Sequence, residues 1–351
     1  MISYLIGIDY KRASLVQREE AYRLRHKMAE HCRQANPGKS AVLTTCNRIE
    51  VYGVASNRSE AAVFAKSFKD TFKGPLKNAY ILYGNDSVFR HGLRLTCGLE
   101  SQVRGEPQIM RQLETWFGRS DFPIHLEEMW SLIIQAAKDI RKKSGLDRGV
   151  VDIADLVFGD LKTHLAFGKS AEVIIIGTGK VAALIADKKP KFAHTVFVAR
   201  KKHSRAKELA GLAGGDLLSY EEFPGRLISA DAIISATYSP HYILTAHSFL
   251  EVAKVRKRLL YIYDVAVPRD VAPEVDEIPF AVIKDIGDLT DRFYKGSRDI
   301  ARRLESASEL AEGITFAYKE SKDVKDYTAW YKAQPACNNT GRRDQAALAA
   351  V

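Results

Sequence analysis

The chain has 351 residues, 46% hydrophobic and 27% charged, which is ordinary for a folded soluble protein and too long for one hydrophobic core, so two or three domains are expected. Four scattered cysteines, with no CxxC and no histidine pairing at metal-ligand spacing, argue against a structural zinc and a disulfide framework and fit a reducing cytoplasm. The net charge of +10 and pI near 9.3 point to an anionic partner. Basic residues bunch at Lys138–Arg148, Lys188–Lys207 and Lys254–Arg258. Each run alone reads as a solvated helix face; three together bring nucleic acid forward as a partner class.

Residues 1 to about 150 read as an α+β unit, strands first and helices after. A strand over Tyr4–Ile8 precedes a helix over Ser14–Cys32 and strands at Ala41–Cys46 and Ile49–Val54. A helix over Ser59–Phe72, a strand at Ala79–Tyr83 and helices from Asp86, at Pro107–Phe117 and at Pro123–Lys143 complete it. Within it, Cys46 stands between two threonines and an Asn-Arg pair. An adjacent Arg48 favours a thiolate, the form that acts as a nucleophile. Read as a strand leading into a polar turn, period two would place Thr44, Cys46, Arg48 and Glu50 on one face. The competing reading is an inert core cysteine.

The second unit, 151–284, opens on a helix over Asp152–Leu165 and the run Ala171–Ala182. There a β-branched strand enters a Gly177-x-Gly179-x-x-Ala182 turn and then an apolar helix. Such a turn lets backbone amides approach a pyrophosphate at a helix N-terminus, so Gly177, Thr178, Gly179, Lys180, Val181 and Ala182 are expected to hold a dinucleotide. The next strand, Thr195–Ala199, ends at Arg200 and Lys201 rather than at an acid, which favours the 2′-phosphate of NADPH. Strands at Asp231–Ser235, Leu259–Tyr263 and Phe280–Ile283 continue a βαβ alternation. The loops Ser235–His241 and Asp264–Asp270 are expected to line the cofactor crevice.

From 285 to 333, apolar residues at Leu289, Phe293, Ile300, Leu304, Ala307, Leu310, Ile314 and Ala317 predict one long amphipathic helix packing on a partner. Residues 334–351 read as a disordered tail. The N-terminus carries no signal peptide, and no run approaches the roughly 18 uncharged apolar residues of a membrane span.

Four motifs in this order, Thr44-Thr-Cys-Asn-Arg-Ile-Glu50, Gly98-Leu-Glu-Ser-Gln-Val-Arg-Gly-Glu-Pro-Gln-Ile109, the glycine turn and Asp264-Val-Ala-Val-Pro-Arg-Asp270, make residues 3–331 resemble glutamyl-tRNA reductase. The resemblance implies an N-terminal catalytic domain that binds glutamyl-tRNA, a Rossmann-type NADPH domain and a spinal helix leading to a dimer. It implies reduction of glutamyl-tRNA to glutamate-1-semialdehyde through a cysteinyl thioester, the first committed step of C5-route tetrapyrrole synthesis. It makes Cys46 the nucleophile and His91 an active-site acid or base. Thr45, Arg48, Ser101, Glu106 and Gln108 become substrate-site residues, with Arg48 facing the substrate carboxylate. An aminomutase that takes up the aldehyde is an implied partner.

Three positions depart from the family pattern. Asp9-Tyr10-Lys11 replaces an Asn-His-Lys run, Tyr238 replaces a glycine, and the chain stops soon after Trp330, which weakens the expected dimer. Two other readings stay open: an oxidoreductase like shikimate dehydrogenase, and a shortened non-catalytic paralogue that binds glutamyl-tRNA.

Overall fold

The computed structural model describes residues 1–148, 151–164, 170–188, 192–199 and 204–321. It contains two sheets of opposite character. The first is antiparallel, in the order β2-β3-β1-β4, built from β1 (Ile2–Asp9), β2 (Ser40–Thr44), β3 (Arg48–Ala55) and β4 (Tyr80–Tyr83). Alternation along β1 buries both faces. Tyr4, Ile6 and Ile8 pack towards helices α1 (Leu15–Ala35) and α2 (Arg58–Thr71). Leu5, with Tyr52 and Val54 of β3, packs towards α3 (Asn85–Thr96), α4 (Gln108–Phe117) and α5 (Ile124–Ser144). Helix α1 starts where a capping box sets it: Ser14 Oγ accepts from Gln17 N at 3.3 Å, and Gln17 Oε1 accepts from Ser14 N at 3.1 Å.

The second sheet is parallel throughout. Helix α6 (Ile153–His164) leads into β5 (Ala171–Ile176), followed by α7 (Lys180–Lys188), β6 (Ala193–Ala199), α8 (Ser204–Ala213) and β7 (Asp216–Ser219). Then come β8 (Ala232–Ser235), α9 (Leu250–Val255), β9 (Leu260–Asp264) and β10 (Ala281–Asp285). The order β10-β9-β8-β5-β6-β7 is that of a doubly wound dinucleotide-binding sheet, with its crevice at the strand carboxyl ends between β5 and β8. Both faces are apolar, Val173, Ile175 and Phe197 on one and Ile174, Ile176 and Val198 on the other, as a sheet covered on both sides requires. The α/β architecture expected from the sequence is therefore present.

The C-terminal region differs from its expectation in two ways. The single long helix is two, α10 (Ile286–Gly296) and α11 (Arg298–Glu320), separated at Ser297, whose φ of −112° and ψ of 90° are not helical. Nor does α11 present its apolar stripe to a second chain. Leu304, Ala307, Ala311, Ile314 and Tyr318 complete the core formed by α3 and α5, and Tyr318 stacks on Phe89 with ring centroids 3.9 Å apart. Arg90 fixes this packing by a two-pronged contact to Glu312 at 2.8 and 2.7 Å. The expected tail, 334–351, and the stretch up to 333 fall outside the described residues.

Candidate active site

Cys46 does not sit in a strand. β2 ends at Thr44 and β3 begins at Arg48, so the cysteine occupies the turn between two antiparallel strands, closed by Thr45 N donating to Arg48 O at 3.0 Å. Thr45 Oγ1 accepts from Asn47 N at 3.2 Å and stiffens the turn from within. The thiol is exposed at the tip. Crowding by the surrounding protein pushes it up to about 11, and the Glu106 carboxylate adds to the lift, while Arg18 and Arg48 pull it back. The expected thiolate is therefore not the resting form.

The reason lies with Arg48. Its side chain is 1% exposed and its Nη1 donates to Glu50 Oε1 at 2.7 Å, while Nη2 donates to the backbone oxygen of Glu100. Glu50 is fully buried and also accepts from Tyr52 Oη at 2.7 Å, from Tyr80 Oη, and from His91 Nε2 at 3.0 Å. Burial alone would raise its carboxyl, but His91 and Arg48 outweigh burial and hold it far below the carboxylate range. The positive charge next to Cys46 is thus largely matched by Glu50. Arg48 is a buried structural cation rather than a free fork for a substrate carboxylate, and His91 points at Glu50 rather than at the thiol.

The Gly98–Ile109 segment brings a different group to the cysteine. Gly98 and Gly105, both at positive φ (82° and 80°), fold the loop back on itself, and Gly105 N donates to Gly98 O at 2.9 Å. The turn presents Glu106, whose side chain is hydrogen-bonded by buried Ser101. Burial pushes the Glu106 carboxyl up to about 7, against the lowering effect of Ser101, Arg48 and Arg141. Gln108 stands at the start of α4 with a buried Oε1 that has no partner among the described residues. Tyr10 Oη donates to Ser101 O at 3.1 Å, so this departure from the family pattern ties the end of β1 to the same loop.

Across the gap lies the glycine turn. Gly177 has φ +118°, and a Cβ there would come within 2.6 Å of Ala236 O. Gly177, Thr178 and Gly179 line a cleft of about 930 Å³ with Val198, Thr237 and Tyr238. The bare backbone at the carboxyl end of β5, the volume and the start of α7 at Lys180 fit a dinucleotide. Val181 and Ala182 instead pack into the core beneath it. Arg200 and Lys201 lie outside the described residues. Asp270 of the Asp264–Asp270 loop anchors the cleft wall, accepting from Ser235 Oγ at 2.8 Å and Thr237 N at 2.9 Å. Tyr238 leaves that wall 62% exposed, and its phenol is pushed up first by burial of its inner edge and then by proximity to Cys46.

The comparisons with known proteins follow this division. A family profile described as glutamyl-tRNAGlu reductase, N-terminal domain, matches residues 6–144, and one described as shikimate / quinate 5-dehydrogenase matches residues 161–291. The glutamyl-tRNA reductase of Methanosarcina acetivorans is 30% identical over 341 residues, covering 90% of this chain and 70% of that protein. The chain belongs to the glutamyl-tRNA reductase family. The reductase of Methanococcoides burtonii is 33% identical over 256 residues, 71% of this chain but 59% of its own length. A solved glutamyl-tRNA reductase from Methanopyrus kandleri is 24% identical, with a TM-score of 0.48 over 91% of this chain and 79% of that one.

Membership makes the chain an oxidoreductase, and the parallel sheet supplies its nucleotide-cofactor domain. No helix among the described residues is long and apolar enough to cross a membrane. Among the described residues no group of three or more His, Cys, Asp or Glu side chains could hold a metal. One group beside the Cys46 turn escaped the sequence reading. Arg18 of α1 donates from Nη1 to Asn47 Oδ1 at 3.2 Å, a contact between residues 29 positions apart with no local signature. Asp270 was visible only as part of its motif.

Proposed function

We propose that the protein reduces glutamyl-tRNA to glutamate-1-semialdehyde with NADPH, the entry step of C5-route tetrapyrrole synthesis. The observation that carries the reading is an exposed Cys46 at the tip of the β2–β3 turn, in a chain whose other sheet opens a cleft lined by the bare Gly177–Gly179 turn.

An aminoacyl ester is already activated, so a cysteine sulfur displaces the tRNA 3′ oxygen without further energy input. In this step the Sγ of Cys46 forms a bond to the acyl carbon and the carbon–oxygen bond to the ribose breaks. The thiol proton passes to Glu106 and from there to the departing ribose oxygen. Glu106 suits this task because its carboxyl stands at about 7. Ser101 orients that carboxyl, and Thr45 holds the turn that presents the sulfur. His91 acts one step removed, through Glu50 and Arg48. Gln108, with its free Oε1, is placed to receive the substrate's amino group. Gly177, Thr178, Gly179 and Lys180 would hold the pyrophosphate, with Arg200 and Lys201 on the 2′-phosphate. Bound there, NADPH supplies the hydride that a thioester accepts and a carboxylate does not.

The basic surface would hold tRNA phosphates in a salt-dependent manner. A homodimer and transfer of the aldehyde to an aminomutase belong to the same reading, to be tested by light scattering and by co-purification. The decisive assay incubates purified protein with charged tRNA and NADPH and looks for the semialdehyde. Without NADPH the protein should act as a slow glutamyl-tRNA esterase. Cys46→Ser should abolish both reactions and keep tRNA binding; a normal reduction rate in that variant would end the proposal.

A further inference from the structure

The loop after β8 holds Tyr238 in a fixed place. Both ends of the loop are pinned on Asp270, whose carboxylate accepts from Thr237 N at 2.9 Å and whose backbone oxygen accepts from Ile243 N at 2.6 Å. Within the loop, Ser239 N donates to Thr237 Oγ1 at 3.0 Å. Ser239 Oγ accepts from His241 N at 3.1 Å and donates to His241 O at 2.7 Å. Short-range bonds of this kind fix the backbone that carries Tyr238.

Tyr238 lies across the glycine turn. A Cβ on Gly179 would meet its ring carbons at 3.5 and 3.9 Å, so the ring rests against bare backbone. The rest of the ring is open, on the wall of the dinucleotide-sized cleft. A single exposed tyrosine needs no explanation elsewhere on a surface. One laid over a glycine turn by a pinned loop offers a flat apolar face to whatever enters the cleft. The strand order β8-β5-β6 decides which part of a dinucleotide that is. With the 2′-phosphate end beyond β6 and the pyrophosphate at the β5 turn, as read above, the second ring falls beside β8. The Tyr238 phenol is pushed up by burial first and by Cys46 second, and that sulfur carries the acyl group the hydride must reach.

We propose that Tyr238 stacks on the nicotinamide ring of bound NADPH and so sets the plane in which that ring is presented. This rests on the NADPH reading above and gives this chain a ring contact at a position where its family pattern has glycine. An offset-stacked aromatic pair is worth roughly a 3- to 10-fold change in affinity. The hydroxyl plays no part in the contact, and the adenine end of the cofactor lies away from it.

The test reads binding rather than turnover. NADPH is titrated by fluorescence, and 2′,5′-ADP, which lacks the nicotinamide half, is titrated by displacement, on wild type, Tyr238→Ala and Tyr238→Phe. Tyr238→Ala should bind NADPH about 3- to 10-fold more weakly. Its affinity for 2′,5′-ADP should be unchanged, which also shows that the variant folds. Tyr238→Phe, which keeps the ring, should stay within about two-fold of wild type for both ligands. Equal or tighter NADPH binding by Tyr238→Ala would show that the ring only fills the cleft, and overturns the assignment. An equal loss of 2′,5′-ADP would put the ring at the adenine end and overturns it too. So does a loss in Tyr238→Phe as large as in Tyr238→Ala, which would credit the hydroxyl. A wild type that binds neither ligand would instead strike the cofactor reading itself.

Discussion

Arg269 crosses from the parallel-sheet unit to helix α1, where both its backbone N and its Nε donate to Glu19 Oε1, at 2.8 and 3.2 Å. Glu19 is 6% exposed at its side chain and Arg269 25%, so water screens this pair weakly. The contact belongs to the loop in which Asp264 accepts from Asp270 N, while Asp270 holds the cleft wall through Ser235 and Thr237. One carboxylate on α1 therefore ties the loop behind the cofactor cleft to the unit that bears Cys46. Glu19→Ala should lower stability by roughly 2 kcal/mol, since it strands two donors. It should slow aldehyde formation more than cofactor-free acyl uptake on Cys46. Equal slowing of both in stopped assays would show that the pair does not align the units.

The Arg48–Glu50 pair is a stability element rather than a recognition element. Glu50→Ala leaves a buried guanidinium without its counter-charge, at a cost of about 3–5 kcal/mol in a denaturant melt. The pH dependence has a definite sign. Glu50 is depressed below its ordinary 4.5 in the folded state, so its contribution is fully present above that value. It is lost as acid carries the pH down through the folded-state value. A wild-type melt should therefore weaken below pH 4.5 more steeply than that of Glu50→Gln. Parallel acid limbs would contradict it.

What the sequence discloses and what it hides follow from the range of the interactions concerned. The β-branched run of β5 and its glycine turn declare themselves because strand, turn and helix each carry a local signature. β7 escaped because Asp216–Ser219 is four residues long and only half-buried, too short for a period to show. The break at Ser297 escaped because the apolar spacing runs on across it and outweighed the local stop-and-start signal of Gly296-Ser297. Cys46 was found as a residue but misjudged as a thiolate. Sequence shows that Arg48 is adjacent; it cannot show that Glu50, Tyr52, Tyr80 and His91 converge on one buried charge system. Arg18 carried no signal, because its place beside the Cys46 turn depends on a contact with Asn47, 29 positions away.

Gly177 should tolerate no side chain. Its φ of +118° already strains any L-residue, and a Cβ would press within 2.6 Å of Ala236 O, a backbone atom that cannot rotate away. Gly177→Ala is expected to weaken NADPH binding at least 10-fold by fluorescence titration and to cost about 1–3 kcal/mol of stability. Acyl uptake on Cys46 should persist, because the turn that bears the thiol lies in the other sheet. Unaltered cofactor affinity would remove the glycine turn from the binding site.

Glu106 and Cys46 yield the sharpest prediction because two readouts should move in opposite directions. The carboxyl titrates at about 7, so acyl uptake should rise as pH increases through 7 and the basic form appears. The same negative charge helps hold the thiol near 11, after the larger effect of crowding. Glu106→Gln removes that charge without removing the crowding, so the thiol pKa should fall yet stay above its ordinary 9. Alkylation of Cys46 by iodoacetamide at pH 8 to 9 should consequently become faster in the variant. Acyl uptake from glutamyl-tRNA should become about 100-fold slower, and its rise near pH 7 should vanish, because the proton acceptor is gone. A purely structural glutamate would move both rates the same way. A variant that alkylates faster and also acylates faster would leave Glu106 as an electrostatic brake on the thiol, with another group accepting its proton.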